Sequence, residues 1–109
     1  MPRDPEQPAP ALADDFVSRV LAVVDSIPPG KVMTYGDVAE LMGRGTARTV
    51  GTVLSHHGRE VPWHRVVQAS GRPAEPHLDE ALRLLAAEGC PLVGERVDLL
   101  LARWDGVAP

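Results

Sequence analysis

The chain has 109 residues, 44% of them hydrophobic, and a formal net charge of -4, enough for one domain with a modest core and too little for two. No apolar run approaches the ~18 residues of a membrane span, and Met1-Pro2-Arg3-Asp4-Pro5-Glu6 has no apolar signal core, so a cytoplasmic protein, nucleoid-associated if bacterial, is expected. The single cysteine, Cys90, excludes an internal disulfide, and the acidic balance argues against a generic nucleic-acid coat.

Residues 1–11 hold four prolines and little else apolar; they are expected to be a disordered leader, with the domain over 12–109. Phe16, Val20 and Val24, flanked by Val17 and Leu21, recur at helical spacing and predict an amphipathic helix over 13–26, stopped by Pro28-Pro29-Gly30. Thr34 with Asp37 three residues on is a variant capping box, opening a helix whose buried stripe is Val38, Leu41 and Met42. Gly43-Arg44-Gly45 reads as a turn. A third helix is predicted over 46–56, with Val50, Val53 and Leu54 inward. Two short helices joined by a glycine-containing turn make a helix-turn-helix candidate. Beyond them Arg65-Val66-Val67 is a short strand candidate and 70–73 a loop. Leu78, Leu82 and Leu85 place a last helix at 77–88, ended by Gly89 and Pro91, and strand-like pieces over 91–101 suggest a small wing. The fold class is therefore mainly α with a small β element, a winged helix-turn-helix, without internal repeats.

Charge is unevenly distributed. Between Met42 and Arg72 there are five arginines (Arg44, Arg48, Arg59, Arg65, Arg72) against one acid, Glu60. This pattern suggests a basic face on an acidic body, which would bind DNA modestly and release it readily; scattered solvated charges are the plainer reading. The third helix is rich in small residues, Gly45, Thr46, Ala47, Thr49, Gly51 and Thr52. Glycine and β-branched threonine do little for helix stability, so either another surface approaches closely or the helix pair is tightly packed.

Pro62-Trp63-His64-Arg65-Val66-Val67 is the most informative string. It resembles the active-site motif Pro-Cys-His-Arg-Val of the O6-alkylguanine-DNA alkyltransferases, with Trp63 in the place of the cysteine that accepts the alkyl group. An indole offers one N–H donor and no basic lone pair, whereas the transfer needs an activated thiolate. Ile27-Pro28-Pro29-Gly30 through Tyr35-Gly36, Ala47-Arg48-Thr49-Val50-Gly51, and Leu84-Leu85-Ala86-Ala87-Glu88-Gly89 are similar to further family motifs, in the family's order, and Val97-Asp98-Leu99 with Arg103-Trp104 looks like the end of the alkyltransferase-like group, the Trp-for-Cys relatives.

The resemblance implies the alkyltransferase C-terminal domain fold and a protein that binds O6-alkylguanine in double-stranded DNA without repairing it. A helix in the minor groove would be carried by Thr46, Ala47, Arg48 and Gly51, with Arg48 entering the base stack and Tyr35 turning the nucleotide out. Trp63, His64, Tyr35 and Arg72 are expected to line the lesion pocket, Arg65 to contact DNA or brace the wing, and His64 with Glu88 to be a remnant of the transferase relay. Neither a catalytic residue, a cofactor nor a metal is implied. The implied partners are damaged duplex DNA and nucleotide excision repair proteins such as UvrA, and the chain is expected to be monomeric. His57 falls near the position of the transferases' asparagine, and 72–76 is shorter and richer in proline than their lesion-binding loop. Alternatives remain at this stage: Trp63 as a core residue, Cys90 as a substitute nucleophile, a zinc site from His56, His57, His64 and Cys90, and a sequence-specific winged-helix transcription regulator.

Overall fold

The computed structural model describes residues 14–107; the leader expected over 1–11 lies outside them. Helix α1 (Asp14–Ser26) buries Phe16, Val20 and Val24 completely, the stripe predicted from their spacing, and places Asp14 and Asp15 at its positive end. Helix α2 (Tyr35–Met42) opens on a complete capping box. Asp37 N–H donates to the Thr34 hydroxyl at 3.0 Å, and Thr34 N–H donates to the Asp37 carboxylate at 3.1 Å. Gly43 closes α2 in the left-handed conformation. Helix α3 (Ala47–His57) has its own box, Thr46 with Thr49.

The turn between α2 and α3 presses on α1. A Cβ at Gly45 (φ +81°) would lie 2.6 Å from the Phe16 ring, so only glycine fits there. Val38, Ala39 and Met42 of α2 and Val50 and Val53 of α3 join Phe16, Val20, Val24 and Ile27 in one cluster. The helix-turn-helix predicted from sequence is thus fixed by a shared core.

Strand β1 (Met33–Thr34) runs parallel to β2 (Val66–Val67), with Met33 opposite Val66 and Thr34 opposite Val67. This ladder brings the first turn of α2 beside the chain that leaves Trp63 and His64. Arg65, expected in the strand, instead ends a 3-10 turn over Trp63–Arg65, because its N–H bonds back to the Pro62 carbonyl at 3.0 Å. Helix α4 (Leu78–Ala87) buries Leu78, Ala81 and Leu85, with Leu82 only partly covered. A second cluster gathers Val32, Val67, Leu85, Cys90, Val97 and Ala102.

Strands β3 (Leu92–Val93) and β4 (Arg96–Val97) form the small antiparallel hairpin expected as the wing. The strand reading fails beyond it. The Asp98 carboxylate accepts the Leu100 N–H at 3.1 Å and starts a short helix, α5 (Leu99–Ala102). Val32 and the chain end are then stitched together by Val32 N–H to the Ala102 carbonyl (2.9 Å) and Trp104 N–H to the Val32 carbonyl (2.8 Å). Among the described residues no helix is long and apolar enough to cross a membrane.

Candidate nucleic-acid interface

A cleft of about 750 Å³ opens between the helix-turn-helix and the segment that leads into α4. Helix α3 presents Ala47, Arg48, Gly51, Leu54 and Ser55 to it, while Val50 and Val53 face the core. Spacings of three and four residues put the first set on one side of a helix and the second on the other. Tyr35, the first residue of α2, stands beside them, its ring 3.9 Å from where a Cβ on Gly51 would be. Burial raises the pKa of its phenol. Tyr35, Ala47, Arg48 and Gly51 are therefore brought together as expected. Thr46 is not among the lining residues; it is exposed, and its hydroxyl accepts the Thr49 N–H at 3.2 Å.

Trp63 and His64 lie in the same cleft. Trp63 is only half-buried, which separates it from an ordinary core tryptophan. Its ring meets His77 edge-on at 5.7 Å and His64 at 6.0 Å. His64 is buried, and its Nε2 lies 2.8 Å from Glu88 Oε2. An ionised carboxylate only accepts, so Nε2 carries the hydrogen. The two residues expected as a relay remnant are thus in contact.

Arg65 is a correction. Expected above to contact DNA or brace the wing, it is turned inward: Nη2 reaches Glu88 Oε2 at 2.7 Å, Nε lies 3.1 Å from both Glu88 oxygens, and Nη1 donates to the Ile27 carbonyl at 2.8 Å. Gly30 N–H adds a further bond to Glu88, at 3.1 Å. Burial acts to raise the Glu88 carboxyl, but these donors outweigh it and bring its pKa down to about 2. The same network joins the ends of α1 and α4 to the turn that carries Trp63.

Arg72 is a second correction. It does not line the cleft; its guanidinium lies 3.4 Å from Glu95, and the side opposite α3 is formed by Pro73, Ala74, Glu75, Pro76, His77, Glu80 and Ala81. The sequence reading missed His77, Glu75, Glu80, Gln68 and the place of Arg59. The available signal was that His77 stands at the foot of a helix directly after a proline-rich loop. His57, at the end of α3, is exposed outside the cleft.

The basic face is narrower than the arginine count suggested. Arg44 pairs with Asp15 at 3.0 Å and sits 5.4 Å from the centre of the Phe16 ring, Arg65 pairs with Glu88, and Arg72 with Glu95. Arg48 and Arg59 line the cleft, and among the described residues no carboxylate pairs with either. Cys90 is buried, and burial followed by the nearby Glu88 charge pushes its thiol up, the opposite of what a nucleophile needs.

Residues 15–90 match the family described as 6-O-methylguanine DNA methyltransferase, DNA binding domain. The chain belongs to this family. Among its relatives, a DNA base-flipping protein of Escherichia coli is 43% identical over 98 residues, covering 84% of this chain and 76% of that protein. The crystal structure of Schizosaccharomyces pombe Atl1 in complex with damaged DNA containing O6-carboxymethylguanine superposes with a TM-score of 0.74 at 30% identity, over 84% of this chain and 95% of the other. Mycobacterium tuberculosis O6-methylguanine methyltransferase gives a TM-score of 0.62 at 33% identity, covering 82% of this chain and 55% of that one. The fold of this methyltransferase-family chain is therefore that of the Atl1 domain and of the corresponding part of the methyltransferase.

Proposed function

We infer that this chain is a DNA-damage sensor that binds O6-alkylguanine in duplex DNA, flips it into the cleft, and holds it without chemistry. The observation that carries this reading is Trp63 on the cleft, in the acceptor place of the Pro-Cys-His-Arg-Val motif and next to an intact His64–Glu88 pair. The pair has no thiol to activate, and the chain's only cysteine is buried with a raised pKa. An indole instead offers an apolar surface for an alkyl group.

Extrusion is assigned to the opposite side. Arg48 fills the gap left in the base stack, Tyr35 presses on the backbone, and the small residues Ala47 and Gly51 let α3 approach the minor groove. A sequence-specific regulator would present long polar readers on this face, and α3 presents Ala47, Gly51 and Ser55 around a single arginine. A lesion held but not repaired is useful only when another machinery removes it, which supports hand-over to nucleotide excision repair proteins such as UvrA.

The test is affinity for matched duplexes with and without one O6-methylguanine, together with the fluorescence of a base analogue beside the lesion. The native chain prefers the damaged duplex; Arg48→Ala weakens lesion binding by about 1–3 kcal/mol and lowers the extrusion signal. Equal affinity for both duplexes would refute the reading.

A further inference from the structure

The cleft is polarised more strongly than recognition of an alkylated base requires. Arg48 and Arg59 lie on its α3 side. Facing them, on either side of His77 in sequence, are Glu75 in the loop and Glu80 in the first turn of α4, and the His77 ring contacts Trp63. Among the described residues no cation pairs with either glutamate. Their charge is directed at the cleft and at solvent.

We propose that Glu75 and Glu80 select lesions by charge, so that the cleft takes O6-alkyl groups ending in a neutral or cationic group and discriminates against those ending in a carboxylate. This rests on the reading that the cleft receives O6-alkylguanine. A phosphate backbone held on the arginine side points the extruded base inward. The O6 edge of guanine is remote from the sugar, so its substituent is carried toward Trp63, His77 and the two glutamates. The amino end of α4 would by itself favour an anion, but Asp79 and Glu80 in its first turn offset that field. Repulsion between unit charges several ångströms apart at a protein surface corresponds to roughly a tenfold change in affinity, and an ammonium in the same place is attracted.

Three adducts of nearly equal size separate charge from bulk: O6-propylguanine, O6-(carboxymethyl)guanine and O6-(2-aminoethyl)guanine, each in the same duplex beside a guanine control. The carboxymethyl adduct is a probe with which a relative has been solved. The native chain is expected to bind the propyl and aminoethyl duplexes about tenfold more tightly than the carboxymethyl duplex, and Glu75→Gln/Glu80→Gln to narrow that gap to about twofold. Both residues are exposed, so the fold should tolerate the change; should the double variant unfold, Glu75→Gln in the loop carries the same test with a smaller narrowing. Equal binding of the three adducts by the native chain, or a gap that the variants leave untouched, overturns charge selection. Failure of every adduct to exceed the guanine control overturns the lesion-binding reading itself.

Discussion

Glu88 ties together the groups beside Trp63. Its carboxylate holds His64, the Arg65 guanidinium and the Gly30 N–H at once. The network ties the turn that carries Trp63 to the ends of α1 and α4. It also makes stability depend on pH. A glutamate in an unfolded chain titrates near ~4.3, and Glu88 in the fold is lowered to about 2. The folded state therefore binds this proton less tightly, so the contribution is complete above the unfolded value and is lost as pH falls toward the folded one. Denaturant midpoints should fall between about pH 7 and about pH 3 in the native protein. Glu88→Gln, which leaves the Arg65 guanidinium without its counter-charge, should already be weaker by ~2–3 kcal/mol at neutral pH and then lose less over the same interval. Some slope will remain, because the hydrogen bonds from Arg103 also lower Asp37. Parallel pH curves for the two proteins would mean that Glu88 carries none of the effect.

The helices were legible in the sequence because apolar spacing and caps are local: Thr34 with Asp37 lies within one turn, and Phe16, Val20 and Val24 repeat within one helix, although the Thr46–Thr49 box went unread and Leu41, expected in the stripe of α2, is exposed while Ala39 is buried. Arg65 and Arg72 were misplaced for the opposite reason. Each finds its carboxylate 23 positions away, Glu88 and Glu95, and no local pattern announces such a pair. Helix α5 was missed because four residues carry too little periodicity to tell helix from strand. Of the small residues noticed around α3, Gly45 is required by packing against Phe16, whereas Gly51 is not. A Cβ at Gly51 would meet only Tyr35, at an ordinary 3.9 Å, so internal packing does not require glycine there. Gly51→Ala should stabilise the fold by about 0.5–1 kcal/mol through helix propensity. It should also weaken DNA binding if the proposed docking of α3 holds, because the added methyl stands on the cleft face assigned to the groove. Thermal unfolding and a binding titration on the same sample test both effects; a stabilised variant with unchanged affinity would return Gly51 to an incidental role.

Taken as one body, the protein carries a net charge of -4 and still presents two arginines on its cleft. Three of the five arginines counted in the central stretch meet carboxylates of the same chain, so the electrostatic contribution to DNA binding should be small. With Arg48 assigned to the base stack, counterion release from the one phosphate contact left to Arg59 predicts a slope of about -1 for log K against log salt, whereas five contacts would give roughly -4.5. Damaged and undamaged duplexes should share this slope, because phosphate contacts do not read the base, and their affinity ratio should stay nearly constant as salt rises. A steeper slope would mean that arginines paired within the chain also reach phosphate, and a preference for damage that disappears with salt would place discrimination in the charges rather than in the cleft.

The most direct test follows one methyl group. Excess protein is incubated with a duplex whose O6-methylguanine carries a labelled methyl, and the complex is isolated first under native conditions and again after denaturation. Lesion binding without transfer predicts that the label travels with the protein in the native complex, beyond what a guanine duplex competes away, and returns entirely to DNA once the protein is denatured. Label that stays on the denatured protein, and is lost in Cys90→Ser, would contradict the account.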